Sequence, residues 1–486
     1  MALEGWVSGG TVSLLLVFSL VTAGVSAPAT AQSTAEPPGV SISVERNADD
    51  AAKVRYHLEF ETPQRAFWLI NYTGNVVSSE GFVADRTKDG NHALRWDSET
   101  KSPSVTVVAN VGNGSEYAAT DKWVLAPTPR LTVAWSPGEN GEWRYDHLLD
   151  DDYPGSSVEF ANSGVLGSMF TYVGPYEERI HRADGQRFRM VIGAGATPAS
   201  PPRKVFESLG TASEHFPGES PDEVLLFVLS DPIWRGGYAS PQSDEFWVHE
   251  DARLSDPQNL WIHEYVHTRQ SFTLGERMRW FREASASYFA SDLTIRQDRT
   301  SQSAVARTLS AKQYDEAVLS RPTTWVSREV PYYQGALMLW ALDAKIQNAT
   351  GEKRSLMDVF YRMNRHEGPV TYTDFEKIVA DVAGKPMDTW LARYVTTPAN
   401  LNVQGLKGGI GEGKTDGSGV DDSTGGKASG GNDSRSDGDR PPAMIGDLPS
   451  TLMAWSGLGF IGLMFGWTVA KYLPRLVDQL RNEKEE

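Results

Sequence analysis

Two histidines one helical turn apart, with a glutamate beside the first, are the residues of this chain whose types and spacing carry the most chemistry: His263-Glu264-Tyr265-Val266-His267. On an α-helix residues i and i+4 share a face, so both imidazoles reach one zinc ion while the Glu264 carboxylate turns toward a water held there. The chemistry implied is metal-assisted hydrolysis. With nine histidines in 486 residues, such a pattern arises by chance in about one chain in a hundred. Catalytic zinc takes three protein ligands and keeps a position for water, so a third ligand is needed, and there is no cysteine to provide it. The stretch from Trp280 through Phe281, Arg282, Glu283, Ala284, Ser285, Ala286 and Ser287 to Tyr288 reads as a second helix after a short connection containing Gly275, and Glu283 on it points back toward the first helix. His249, Glu250 and Glu276 are ligand types as well. None has the paired helical context, so exposed or supporting roles suit them better.

These two helices together resemble the gluzincins, in which H-E-x-x-H is followed by a helix of the W-x-x-E-(G/A)-x-A-x-Y type; Trp280, Glu283, Ala286 and Tyr288 match. The resemblance implies a thermolysin-like catalytic domain, Zn²⁺ as cofactor, and His263, His267 and Glu283 as its ligands with Glu264 as general base. Fewer residues separate His267 from Glu283 than in the aminopeptidase branches, which shortens the loop between the helices. Val330-Pro331-Tyr332-Tyr333-Gln334-Gly335 resembles the V-P-Y-x-K-G segment of gluzincin aminopeptidases. There the tyrosine stabilises the oxyanion, a role that falls by position to Tyr332, with Tyr333 as the other candidate. Gln334 replaces the usual lysine. Leu342-Asp343, the segment from Ser355 to Phe360, Tyr372-Thr373-Asp374-Phe375 and the segment from Trp390 to Val395 resemble the last helices of the glycyl aminopeptidase family. That family also has a G-G-x-E segment on an edge strand, whose glutamate grips the free amino group of the peptide. Gly236-Gly237-Tyr238-Ala239 has an alanine in that place. The two glycines remain as candidate substrate-binding residues, while Asp244 or Glu245 is a carboxylate farther along.

The elements that position these residues follow from periodicity. Alternation in Val40-Ser41-Ile42-Ser43-Val44 and from Lys53 to Phe60, with further strands near 66–72, 104–111 and 131–135, predicts a β-sandwich over 40–155. Strands at 188–192 and 224–229 flank a helix at 202–209, and from Pro257 the period becomes helical almost to Val395. Asp256 as cap and Pro257 in the first helical position suit the start of the zinc helix. A mixed catalytic domain over 156–400, ending in a helical bundle, accounts for this change of period. The fold class expected is α+β and multidomain.

Outside these domains, residues 11–25 are apolar and precede Ala29-Thr30-Ala31, which predicts a signal peptide over 1–31. Residues 401–447, rich in Gly, Ser and Asp, read as a stalk that cannot bury enough surface to fold. Residues 451–470 carry no charge, which predicts a membrane-spanning helix at 450–470. Lys471, Arg475 and Arg481 beyond it place the 471–486 tail in the cytosol and the bulk of the chain outside the cell membrane. With 63 acidic and 46 basic residues the formal charge is -17, which argues against nucleic acid as a partner. The expected partners are a peptide or protein substrate and the membrane, through a single span. The function expected is an extracytoplasmic zinc peptidase; the alternative is a catalytically silent binding protein that keeps the fold and the metal.

Overall fold

The computed structural model describes residues 36–399 and 401, apart from 62–65, 72, 87–91, 113–115, 137–142, 151–152, 219, 241–242, 311–313 and 315. The signal segment, stalk, membrane-spanning helix and tail expected from the sequence fall on residues outside the described ones. Among the described residues no helix is long and apolar enough to cross a membrane.

The first part of the chain is built from β1 (Val40–Arg46), β2 (Lys53–Phe60), β3 (Phe67–Asn71), β4 (Asn75–Glu80), β5 (Phe82–Arg86), β6 (His92–Trp96), β7 (Ser104–Asn110), β8 (Ala118–Ala119), β9 (Val124–Pro127), β10 (Leu131–Trp135), β11 (Arg144–His147) and β12 (Ser156–Phe160). One five-stranded sheet has the order β12-β1-β2-β7-β4 and a second the order β11-β10-β3-β6-β5. In β1, Val40, Ile42 and Val44 are buried while Ser41 and Ser43 are exposed, the period of two that one covered face demands. Those valines join Tyr56, Leu58 and Phe60 of β2 with Phe67, Leu69, Leu131 and Val133 of the second sheet in one core. The first sheet takes its outer strand β12 from beyond residue 155, paired in parallel with β1.

A third sheet, β13-β14-β9-β8, adds β13 (Gly164–Leu166) and β14 (Phe170–Val173). It lies against a five-stranded sheet formed by β15 (Tyr176–Ala183), β16 (Gln186–Gly193), β17 (Glu223–Leu229), β18 (Gly237–Ala239) and β19 (Glu245–His249) in the order β15-β16-β17-β19-β18. β17 is central, parallel to both neighbours and apolar on both faces, as a strand covered on two sides must be. Leu225, Phe227 and Leu229 meet Leu125, Phe170 and Tyr172 of the third sheet and Trp123 just before it. Val224, Leu226 and Val228 meet the helical side. Polar links fix the same contact: the buried Glu245 carboxylate accepts the backbone N–H groups of Ser168, Met169 and Phe170, and Trp247 Nε1 donates to the Glu116 carbonyl at 3.0 Å.

The helical side comprises α1 (Pro202–Ser213), α2 (Leu260–Thr268), α3 (Trp280–Arg296), α4 (Gln302–Leu309), α5 (Ala336–Thr350), α6 (Leu356–Asn364), α7 (Tyr372–Ala383) and α8 (Asp388–Thr396). The run of helices after Pro257 is interrupted by a two-stranded parallel pair, β20 (Thr273–Leu274) with β21 (Pro369–Val370), which braces the α2–α3 connection. α3 is the axis of this half. Its Tyr288 hydroxyl donates to Asp343 Oδ2 of α5 at 2.7 Å, and Asp343 Oδ1 accepts from the first amide of α6 at 2.6 Å, so one buried carboxylate joins three helices. α6 and α7 each begin with a capping box, Ser355 with Asp358 and Thr371 with Asp374.

Candidate metal centre and its surroundings

α2 does not start at Asp256. Asn259 caps it, its side-chain oxygen accepting from Trp261 N at 3.1 Å and Ile262 N at 3.4 Å while its amide donates to the Leu254 carbonyl. Residues 255–258 form turns instead of helix, because the orphan amides of the first turn are satisfied by the side chain that reaches them, and that side chain is Asn259. From this start His263 and His267 fall one turn apart on the face toward α3, 1% and 5% exposed.

The structure brings both histidines and Glu283 together, and among the described residues they are the group able to hold a metal ion. The two Nε2 atoms are 3.3 Å apart; Glu283 Oε2 is 3.4 Å from His263 Nε2 and 3.2 Å from His267 Nε2. Donors about 2.0–2.1 Å from a tetrahedral zinc stand about 3.3–3.4 Å from one another, so the three residues fit that ion. The donor set fits too, since ring nitrogens and a carboxylate oxygen converging on one point repel unless they share a cation or a proton. Burial works against the Glu283 carboxylate, but the His267 charge and hydrogen bonds from both imidazoles hold it well below its ordinary range. Burial lowers the pKa of His263; for His267 the Glu283 carboxylate outweighs burial and raises it.

Glu264 points toward β18, the last strand of its sheet among the described residues. The backbone N–H of Ala239 donates to its carboxylate, and burial pushes its pKa up to about 8. Gly237 leaves room for it: a Cβ there would stand 2.6 Å from Glu264 Oε1 and 2.7 Å from its Cγ. A Cβ on Gly236 would instead collide with the Trp234 ring, and the Gly236 carbonyl accepts from His249 N at 2.7 Å.

Tyr332 closes the site from above His263. Its ring is stacked on that imidazole at 5.6 Å and 9°, and its hydroxyl bonds to the Glu283 carboxylate. Burial, with Glu283 and Glu264 close by, raises its pKa well above the ordinary phenol value, so it keeps its proton. It lies on a single π-helical turn, Pro331–Gly335, of the kind that displaces a side chain from the helical register. Gly335 permits this turn to press on α3, since a Cβ there would be 2.7 Å from Ala284 Cβ. Tyr333 is buried on the side of Glu329 and Tyr314, and Gln334 turns to the Ala317 carbonyl at 3.3 Å.

The other ligand types stand elsewhere. His249 sits between Asp231 and Asp251 at 3.4 and 3.5 Å, Glu250 binds the Thr197 amide, and Glu276 lies in a short 3₁₀ turn before α3. Glu245 faces the third sheet and not the site. Three participants escaped the sequence. Gln270 bonds His267 Nδ1 at 2.9 Å, and Ser287 lies 3.4 Å from His263 Nδ1. Tyr238, pushed up to about 12 by burial, feels the carboxylates of Glu116, Glu264 and Glu283 together.

The sequence matches no family model, and no curated protein is similar to it. The likeness is structural. A crystal structure of an aminopeptidase N family protein from Idiomarina loihiensis is 12% identical and superposes with a TM-score of 0.54 over 76% of this chain and 78% of that chain. An M1 zinc metallopeptidase from Deinococcus radiodurans is 14% identical, with a TM-score of 0.48 over 76% of this chain and 94% of that one. The first of these shows the fold: a multidomain α+β architecture shared with the aminopeptidase N family protein. A shared fold does not by itself fix the activity, which has to be argued from the site.

Proposed function

We propose that the chain is a gluzincin-type zinc metallopeptidase that hydrolyses peptide bonds, with the glycyl aminopeptidase-like segments forming its helical half. The observation that carries this reading is the triangle of His263, His267 and Glu283 at zinc-donor spacing, with Tyr332 stacked on His263 and the Glu264 carboxylate held against Gly237. His263, His267 and Glu283 would hold Zn²⁺, which when bound would supply Lewis acidity toward the scissile carbonyl and the attacking water. The protein's own groups do the rest. Glu264, raised in proton affinity by burial and aligned by the Ala239 amide, takes the proton of the attacking water and delivers it to the leaving amine. Tyr332 keeps its proton and donates it as a hydrogen bond to the oxygen that gains charge. The open edge at β18 suits an extended peptide added as a further strand, and Gly236-Gly237 lets that backbone come close. In this reading residues 1–31 direct export and 450–470 hold the enzyme at the cell membrane with the site on the outer side.

Digestion of a mixed peptide pool by the full-length protein, beside its Glu264→Gln variant, tests the proposal. Cleavage is expected in the first and not in the second, with zinc retained in both; equal cleavage by the two overturns it. The positions of the cuts, terminal or internal, report whether the lost carboxylate at Ala239 has removed aminopeptidase specificity.

A further inference from the structure

Gln270 follows α2 directly, is 1% exposed, and has every polar atom of its amide engaged. Nε2 donates to the Arg282 carbonyl at 2.9 Å and to Ser285 Oγ at 3.0 Å, the two residues that bracket Glu283 on α3. Oε1 meets His267 Nδ1 at 2.9 Å. The polarity of this chain of bonds is set at its far end. A backbone carbonyl only accepts, so the amide NH₂ must face Arg282 and the amide oxygen must face His267. That oxygen only accepts as well. His267 Nδ1 therefore carries the proton, and in the neutral ring the lone pair is left on Nε2, the atom that faces His263 and Glu283. His263 has no equivalent, because the Ser287 hydroxyl 3.4 Å from its Nδ1 can donate or accept and imposes no tautomer.

The geometry points to Gln270 as the positioning residue of the metal site: one side chain sets the tautomer of His267 and ties the end of α2 to the turn of α3 that carries Glu283. It acts through His267 and the α3 backbone and does not itself face the triangle. The inference rests on the metal-site reading above, yet it fails separately from it.

The test is Zn²⁺ affinity, measured on the full-length protein by competition with a chromophoric chelator, for wild type, Gln270→Met, Gln270→Glu and Ser287→Ala. Methionine keeps the shape and loses both ends of the bond chain, so binding is expected to weaken about 10- to 100-fold with the fold unchanged by circular dichroism. Glutamate keeps the acceptor for His267 and is expected to recover part of the loss; Ser287→Ala is expected to stay within about threefold of wild type, given the longer contact it removes. A Gln270→Met protein that binds zinc within about twofold of tight-binding wild type overturns this inference alone, while wild type that binds no zinc overturns the metal reading with it. The wild-type tautomer is an independent readout that needs no variant to fold. Nitrogen-15 spectra of the metal-free, histidine-labelled protein are expected to show a proton on His267 Nδ1, whether or not Nε2 beside Glu283 carries one as well; a ring whose Nδ1 has no proton overturns the inference.

Discussion

Gly237→Ala is the smallest change that separates the catalytic carboxylate from the metal ligands. Gly237 lies in β18 with no left-handed backbone to strain, so the effect of an added methyl is one of space. Its Cβ would stand 2.6 Å from Glu264 Oε1, 2.7 Å from Cγ and 2.9 Å from Cδ. Ordinary contacts lie at about 3.5–4.0 Å, so the Glu264 side chain must withdraw by roughly 1 Å and give up the Ala239 amide. Displacement of a reacting group by about 1 Å costs about 10²-fold in rate, or about 3 kcal/mol on the barrier. Overpacking lowers folding stability by about 1–3 kcal/mol in addition. The atoms that a Gly237 Cβ would meet belong to Glu264 and not to His263, His267 or Glu283, so zinc content is expected to be unchanged. The assay is kcat on a fluorogenic peptide, with zinc content and thermal unfolding measured on the same preparation. Gly236→Ala, which crowds Trp234 and not Glu264, controls for crowding of the strand. A Gly237→Ala protein with wild-type kcat refutes the assignment of Glu264 as the base held against this edge.

Tyr332→Phe is expected to lower kcat about 10²- to 10³-fold with KM and zinc content little changed, read from steady-state kinetics; equal loss in Tyr333→Phe and none in Tyr332→Phe contradicts the role. Gly335→Ala, by pushing the π-helical turn off Ala284, is expected to cost about 1–3 kcal/mol of stability in denaturant melts and to lower kcat as well. Burial pushes the Glu245 carboxyl up to about 7, against the backbone amides it accepts from. Its folded-state pKa therefore lies above the unfolded one, so its stabilising effect is complete below about pH 4, is lost as pH rises to about 7, and amounts to about 3 kcal/mol. Glu245→Gln is expected to flatten that part of the stability-against-pH curve; an unchanged slope between pH 5 and pH 7.5 contradicts it.

Local features of this protein were legible in the sequence and long-range ones were not. The strands at Lys53–Phe60 and Leu131–Trp135 and the pair of helices carrying His263, His267 and Glu283 follow from periodicity and spacing within a few turns of chain. The helix starts at Asn259 and not at Asp256 because Asp256, Pro257 and Asn259 all have the chemistry of a first turn, and only the path of the backbone decides which side chain meets the free amides. The π-helical turn under Tyr332 depends on Gly335 resting on Ala284, a contact between separate elements. Gln270 looks like an ordinary polar residue after a helix until the Arg282 carbonyl of α3 is placed beside it. Glu245, which the sequence offers as a carboxylate farther along from Gly236-Gly237, is instead buried against a third sheet whose strands come from two separate parts of the chain.

Zinc held by His263, His267 and Glu283 underlies every role assigned to Glu264 and Tyr332, and metal analysis of the purified full-length protein tests it most directly. About one zinc per chain is expected in the wild type, falling close to none in His267→Ala, with peptide cleavage lost in step. A zinc-free wild-type protein that cleaves peptides at full rate, or a His267→Ala variant that keeps both its zinc and its activity, contradicts it.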